Sequence, residues 1–185
     1  MSAPPVLSTL LLMLFAFCGC GRSPGDANVQ PSYDKQSGRL VRLIVDGERD
    51  GKPDIFSYMD GSQFVRIEID KDEDGNIDRW EYYGSDQKLE KVGLSRLNDG
   101  IVDAWLFRSA DGSGERMEIA TRRDGKPDRF EFYEKGALVR AEQDTNGDTR
   151  IDRWETYREG ALVSVSFDTK STGSPDVTID YSASP

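Results

Sequence analysis

The chain has 185 residues, 34 of them acidic and 24 basic, giving a formal charge of −10, and it contains no histidine. That balance excludes recognition of a nucleic-acid backbone, which needs a basic stripe, and the missing histidine removes the commonest acid–base catalyst and zinc ligand. Hydrophobic residues make up only 36% of the chain against 31% charged, which suits a thin repeat array better than the deep core of a large enzyme.

The N-terminal end carries an apolar run, Val6 to Phe17, of 12 residues. That length matches the hydrophobic region of a signal peptide and falls short of a bilayer span. The segment Phe17-Cys18-Gly19-Cys20 resembles a bacterial lipoprotein signal, in which a small residue precedes the cysteine that is lipidated. The resemblance implies that Cys20 becomes the acylated mature N-terminus and that the chain is anchored to a membrane surface without spanning it. Gly21, rather than Asp, after that cysteine implies the outer membrane, with the remainder exported into the cell envelope. Residues 21–38 are rich in Gly, Ser, Pro, Asn and Asp and read as a flexible tether. The expected division is a signal peptide over 1–19, a lipid-anchored tether over 20–38 and a repeat array over 39–185.

Within the array an Asp recurs before each strand-like stretch, at Asp54, Asp78, Asp103, Asp128, Asp152 and Asp176, with spacings of 24, 25, 25, 24 and 24. A fixed period of this size indicates one supersecondary element stacked against copies of itself. The second unit shows the element. Val65, Ile67 and Ile69 alternate with Arg66 and Glu68; an acidic stretch follows; then Trp80 and Tyr82 alternate with Arg79, Glu81 and Tyr83. Period-two alternation between turn clusters is the mark of half-buried antiparallel strands. Phe56, Trp80, Trp105, Phe130 and Trp154 stand at one offset from the recurrent Asp, and Thr178 replaces the ring in the last unit, as a terminal cap would. The expected fold is all-β: a repetitive antiparallel meander of about six two-stranded repeats with Asp-rich loops. The rings are expected to register with the aliphatic face of the neighbouring strand and form the core.

Asp70 to Glu81 reads D-K-D-E-D-G-N-I-D-R-W-E and matches the twelve-position calcium loop of EF-hand proteins at each ligand position. On that pattern Asp70, Asp72 and Asp74 offer side-chain oxygens, Asn76 its backbone carbonyl, Asp78 a contact through water and Glu81 the closing carboxylate. Hard cations need six or more oxygens at short range, and carboxylates at alternate residues wrapping one point supply them. Asp144 to Glu155 repeats the pattern with Asp144, Asn146, Asp148, the carbonyl of Arg150, Asp152 and Glu155, although Thr149 replaces the turn glycine. Asp46, Glu48, Asp50 and Asp54 form a third, incomplete set that closes on Ser57. The other three copies have lost ligands to Ser95 and Leu97, to Ala120 and Arg122, and to Lys170 and Thr172, and are expected to serve as turns. Because strands rather than helices flank these loops, the chain also resembles bacterial exported proteins with thrombospondin type-3-like calcium repeats, over residues 39 to 181. Glu81 and Glu155 lie on strands and could face away from an ion, leaving water or a neighbouring carboxylate to replace them.

The expected function is that of a non-catalytic, calcium-binding envelope lipoprotein acting as a structural or interaction module, with Ca2+ as its cofactor and a protein or polysaccharide of the envelope as its partner. The alternative is a carbohydrate-binding array that uses Trp80, Trp105 and Trp154 as stacking platforms. Paired-carboxylate hydrolysis is disfavoured, because equivalent acids on repeated turns supply no distinct acid and base.

Overall fold

The computed structural model describes residues 28–109 and 114–181. The expected signal peptide, Cys20 and the first part of the tether lie outside these residues. Thirteen strands form one antiparallel sheet in strict chain order: β1 (Asn28–Tyr33), β2 (Leu40–Asp46), β3 (Ile55–Asp60), β4 (Gln63–Ile69), β5 (Arg79–Tyr83), β6 (Leu89–Leu94), β7 (Ala104–Arg108), β8 (Gly114–Ile119), β9 (Arg129–Glu134), β10 (Ala137–Gln143), β11 (Arg153–Arg158), β12 (Ala161–Phe167) and β13 (Val177–Asp180). Among the described residues each strand pairs only with its sequence neighbours, and β1 does not meet β13. The sheet is therefore open.

The sheet starts earlier than the repeat. Asn28–Tyr33, inside the expected tether, pairs with β2 as a fully exposed edge strand. Pro31 is compatible with that place, because an edge strand has one side on which no N–H is required.

The two ends of the hairpins differ in character. All six acidic loops lie at one end and are equal in length: nine residues separate the paired residues Val45 and Ile55, Ile69 and Arg79, Leu94 and Ala104, Ile119 and Arg129, Gln143 and Arg153, and Phe167 and Val177. The turns at the opposite end vary. Lys135-Gly136 and Glu159-Gly160 are two-residue turns with both residues at positive φ, the type I′ geometry that matches strand twist. Residues 84–88 make a longer turn between the paired Tyr83 and Leu89. Register shifts at Ser32/Tyr33, Tyr58/Met59, Tyr82/Tyr83, Leu138/Arg140 and Thr156/Tyr157 place a bulge near this end in five of the hairpins, each adding local twist.

Loop length and bulges together correct the expected division of faces. Trp80 pairs with Glu68 and Gly93, and Trp105 with Gly93 and Glu118, so the rings share a face with the charged residues. Ile67 and Ile69 pair instead with Glu81 and Arg79. Because the bulge shifts the register, Phe64 pairs with Met59 and takes the place expected of Val65, which is 49% exposed. Cations cap the ring face: Arg66 stands 4.3 Å from the centre of Tyr58, and Lys91 lies 4.8 Å from Tyr82 and 4.6 Å from Trp105. Gly93 lies close beneath Trp105: a Cβ there would stand 3.2 Å from the indole, so a larger residue would press on the ring.

The core lies on the other face, where Val92, Ala104, Ile119, Ala141 and Val165 are buried. The motif Arg-x-Glu-x-Tyr crosses it three times, at 79–83, 129–133 and 153–157. Tyr83 donates to Glu81 at 2.6 Å, Tyr133 to Glu131 at 2.6 Å and Tyr157 to Glu155 at 2.7 Å. Burial and then the adjacent carboxylate push the Tyr83 and Tyr133 hydroxyls up to about 12. Arg129 reaches across β10 to Glu155 at 2.9 Å, above Ala141, whose small side chain leaves room for it. Glu155 also pairs with Arg153 at 2.6 Å. Burial raises the Glu155 carboxyl, but the bonds from Arg129 and Tyr157 and the charges of Arg129 and Arg153 outweigh it and hold the group below its ordinary range. Removing that charge takes the ion-pair partner from Arg153 and one of two from Arg129, which keeps Glu131 at 2.8 Å, so Glu155→Gln should destabilise the sheet by about 2 kcal/mol. Chemical denaturation monitored by far-ultraviolet circular dichroism measures the loss.

Candidate metal centre

Each acidic loop is closed by one carboxylate. The recurrent Asp, the ninth residue of its loop, accepts the backbone N–H of the second: Asp54 from Gly47, Asp78 from Lys71, Asp103 from Arg96, Asp128 from Thr121, Asp152 from Thr145 and Asp176 from Thr169, at 2.5 to 3.2 Å. Its own N–H reaches the carbonyl just before the loop, as from Asp78 to Ile69 at 2.8 Å. Its carbonyl then accepts the first N–H of the next loop, as Asp54 does from Asp70 at 2.9 Å. The marker Asp is thus a structural clasp in complete and degenerate copies alike.

The backbone inside the loops repeats as closely. The fourth residue takes positive φ in every copy (Arg49, Glu73, Asn98, Arg123, Gly147 and Ser171), as does the sixth (Gly51, Gly75, Gly100, Gly125, Thr149 and Gly173). Where the first residue is Asp, its carboxylate accepts the N–H of the sixth: Asp46 from Gly51 at 3.0 Å, Asp70 from Gly75 at 2.9 Å, Asp144 from Thr149 at 2.8 Å and Asp168 from Gly173 at 2.6 Å. In the second loop that fold brings the first, third and ninth side chains, Asp70, Asp72 and Asp78, toward one point.

Among the described residues, two acidic groups meet closely enough to share a cation. Oxygens of Asp70, Asp72 and Asp78 lie within 4.8 Å of one another, as do those of Glu48, Asp54 and Glu73. With calcium–oxygen distances of roughly 2.4 Å, oxygens at such spacing can ligate a single ion. Asp70 is 5% exposed, and its Oδ1 is buried with no hydrogen-bond partner; Asp46 is equally buried with Oδ1 in the same state, and Asp54 Oδ1 also lacks a partner. An orphaned buried carboxylate oxygen is costly unless something positive meets it. All these donors are hard oxygens, so they fit Ca2+ or Mg2+. Burial, opposed by the Gly47 N–H and reinforced by Glu48 and Asp46, raises the Asp54 carboxyl; Glu73 is raised by desolvation and by Asp50, Asp54 and Glu48.

The remaining expected ligands are placed differently. Asp74 accepts the N–H of Asn76 at 2.7 Å and the side-chain amides of Asn76 and Asn98 at 3.1 and 3.2 Å, and Asp50 accepts the N–H of Lys52 at 2.8 Å. Glu81 and Glu155 are turned onto the core face within their Arg-x-Glu-x-Tyr motifs and do not join a loop group. In the fifth loop, Asp144, Asp148 and Asp152 do not converge. Asn146 accepts the Asp148 N–H at 2.9 Å, Asp148 accepts that of Arg150 at 2.9 Å, and Asp152 is held by the N–H and hydroxyl of Thr145 at 2.9 and 2.8 Å.

Glu73 is the residue that sequence reasoning missed. It occupies the fourth place of its loop, which carries no ligand in the twelve-position pattern, yet it meets carboxylates of the preceding loop. The same reach recurs at the fourth place of later loops: Asn98 meets Asp74 and Arg123 meets Asp99 at a separation of 24 residues, one repeat length, a stacking contact that the sequence does not display.

No protein-family model matches this chain, and no curated protein does. Among solved structures, "Crystal structure of accessory secretory protein 1,2 and 3 in Streptococcus pneumoniae" is similar at 15% identity and a TM-score of 0.20, over 70% of this chain and 19% of that one. The chain thus spans about a fifth of that structure's chain, and so slight a likeness carries no argument.

Thr149 is the one β-branched residue at the sixth place, at φ 73 where the other five copies have Gly. The left-handed conformation costs an L-residue about 1–2 kcal/mol. Thr149→Gly keeps the N–H that bonds Asp144 and should raise stability by about 1 kcal/mol, read as a higher thermal midpoint.

Proposed function

We propose that the chain is a calcium-binding β-repeat lipoprotein of the bacterial cell envelope, in which a cation set into the acidic loops stiffens a non-catalytic binding scaffold. The carrying observation is the buried, unpartnered Oδ1 of Asp70 beside the carboxylates of Asp72 and Asp78. A divalent ion there would satisfy the orphaned oxygen and offset the repulsion among three anions. A second ion fits among Glu48, Asp54 and Glu73, tying the first loop to the second. In both places the chain supplies carboxylates within reach of one another, and water completes the coordination that a hard cation requires.

Lipid attachment at Cys20 and an outer-membrane location rest on the signal-like segment ending Phe17-Cys18-Gly19-Cys20. The alternative reading as a carbohydrate binder gains less support, since Trp80, Trp105 and Trp154 are half-buried and Lys91 covers Trp105.

An ion bound only by the folded form stabilises it by mass action, about 2.7 kcal/mol at a hundredfold excess over the dissociation constant. For a chain of this size that corresponds to a thermal midpoint roughly 5–10 °C higher with calcium than with a chelator. Asp70→Asn should lose most of that difference, and an identical melt with and without calcium would rule the reading out. Cys20→Ser should abolish incorporation of labelled fatty acid and release the protein from the membrane fraction.

A further inference from the structure

The six loops share a backbone, yet their charges are compensated in two ways. In the third to sixth loops the chain supplies partners to its own carboxylates. Arg96 donates through both its N–H and Nε to Asp103, and Arg123 bonds Asp99 at 2.5 Å and lies 3.7 Å from Asp103. At the second place, Thr121, Thr145 and Thr169 add a hydroxyl to the clasp carboxylate at 2.8 to 3.0 Å. The first two loops have Gly47 and Lys71 at that place, and there the buried Oδ1 atoms of Asp46, Asp54 and Asp70 stand without hydrogen-bond partners; in the third loop Asp103 Oδ2 has none either, but it faces the Arg123 guanidinium at 3.7 Å.

The fifth loop decides what this division means, because its sequence is nearly a full ligand set. Asp144 is as buried as Asp70, at 5% exposure. Its Oδ1 accepts Gly147 and its Oδ2 accepts Thr149, leaving no oxygen orphaned. Arg122, from the fourth loop, then brings its guanidinium to the same carboxylate: Nη2 lies 3.4 Å from Asp144 Oδ2, Nη1 donates to the Asp144 carbonyl at 3.2 Å, and Nε lies 3.3 Å from Asp128.

Resting on the calcium reading above, we infer that the array is divided: the first two loops take divalent cations, and Arg122 is a tethered cation that fills the fifth loop in place of a metal. The guanidinium neutralises Asp144 with fixed geometry, so a calcium ion entering there would have to displace it and would meet its charge.

Terbium reads which loop is filled, since it takes calcium's oxygen sites and emits when a nearby indole is excited. Trp80 follows the clasp of the second loop by two residues and Trp154 that of the fifth. The two loops are roughly 29 Å apart at about 4.8 Å per strand, so each indole reports its own loop. In the full chain, the emission should fall sharply in Trp80→Phe and persist in Trp154→Phe. Arg122→Gln should add emission that Trp154→Phe removes, and native mass spectrometry in calcium should count one more ion than for the wild type. The division is overturned if Trp154→Phe dims the wild-type signal, or if folded Arg122→Gln gains no ion. Should Arg122→Gln not fold, Asp144→Asn and Asp70→Asn decide instead: the first should leave the wild-type ion count unchanged and the second should lower it, and the reverse pattern overturns the division. Absence of any ion from the wild type and every variant overturns the calcium reading itself, a result distinct from uptake at the wrong loop.

Discussion

One contact recurs through the whole molecule: a carboxylate at the ninth place of each loop accepts the N–H at the second. It fixes the number of residues between paired strands, and strand register follows from that number. Because side chains alternate along a strand, a shift of a single residue would exchange the two faces of the sheet. The clasp therefore decides that Trp80 lies opposite Glu68 and that Ile69 lies opposite Arg79. The backbone bonds from each clasp to its neighbouring loop carry the same register along the array.

The clustering of carboxylates grows out of this geometry rather than standing beside it. Folding the loop so that its first carboxylate reaches the sixth N–H and its ninth reaches the second sets acidic groups side by side. Their mutual repulsion has to be offset. The third to sixth loops do so with arginine, lysine and threonine; Lys170, for example, lies 3.2 Å from Asp176. The first two retain carboxylates that protein groups meet only in part. A single scaffold thus presents two electrostatic solutions, and the choice rests on two or three side chains per loop.

Much of the architecture was legible in the sequence. The all-β meander could be read from period-two alternation and from the spacing of Asp54 through Asp176, because those signals are local. The facing of the rings was not, since it depends on how many residues the clasp leaves between partners. Strand β1 escaped notice because Asn28–Tyr33 is polar and lies outside the period. At the site, Asp70, Asp72 and Asp78 were found from their spacing, and their grouping within a single loop is a local property. Glu73 and Arg122 were not, because their reach into a neighbouring loop is a property of stacking. Glu81 and Glu155 could have been assigned to the sheet from sequence: Glu131 sits in the same Arg-x-Glu-x-Tyr motif behind a loop that lacks the acidic pattern, so that glutamate persists independently of the pattern.

The two ends of the hairpins divide their tasks in a way that bears on the history of the chain. All six acidic bends keep one length, while the opposite turns range from two residues to six. Gain or loss of residues is tolerated where no clasp has to close. Since strands pair only with their neighbours, duplicating or excising one whole hairpin would preserve the order of the ladder. Such a ribbon can change its span by discrete steps of about 10 Å, a ruler whose graduations are set by genetic copying.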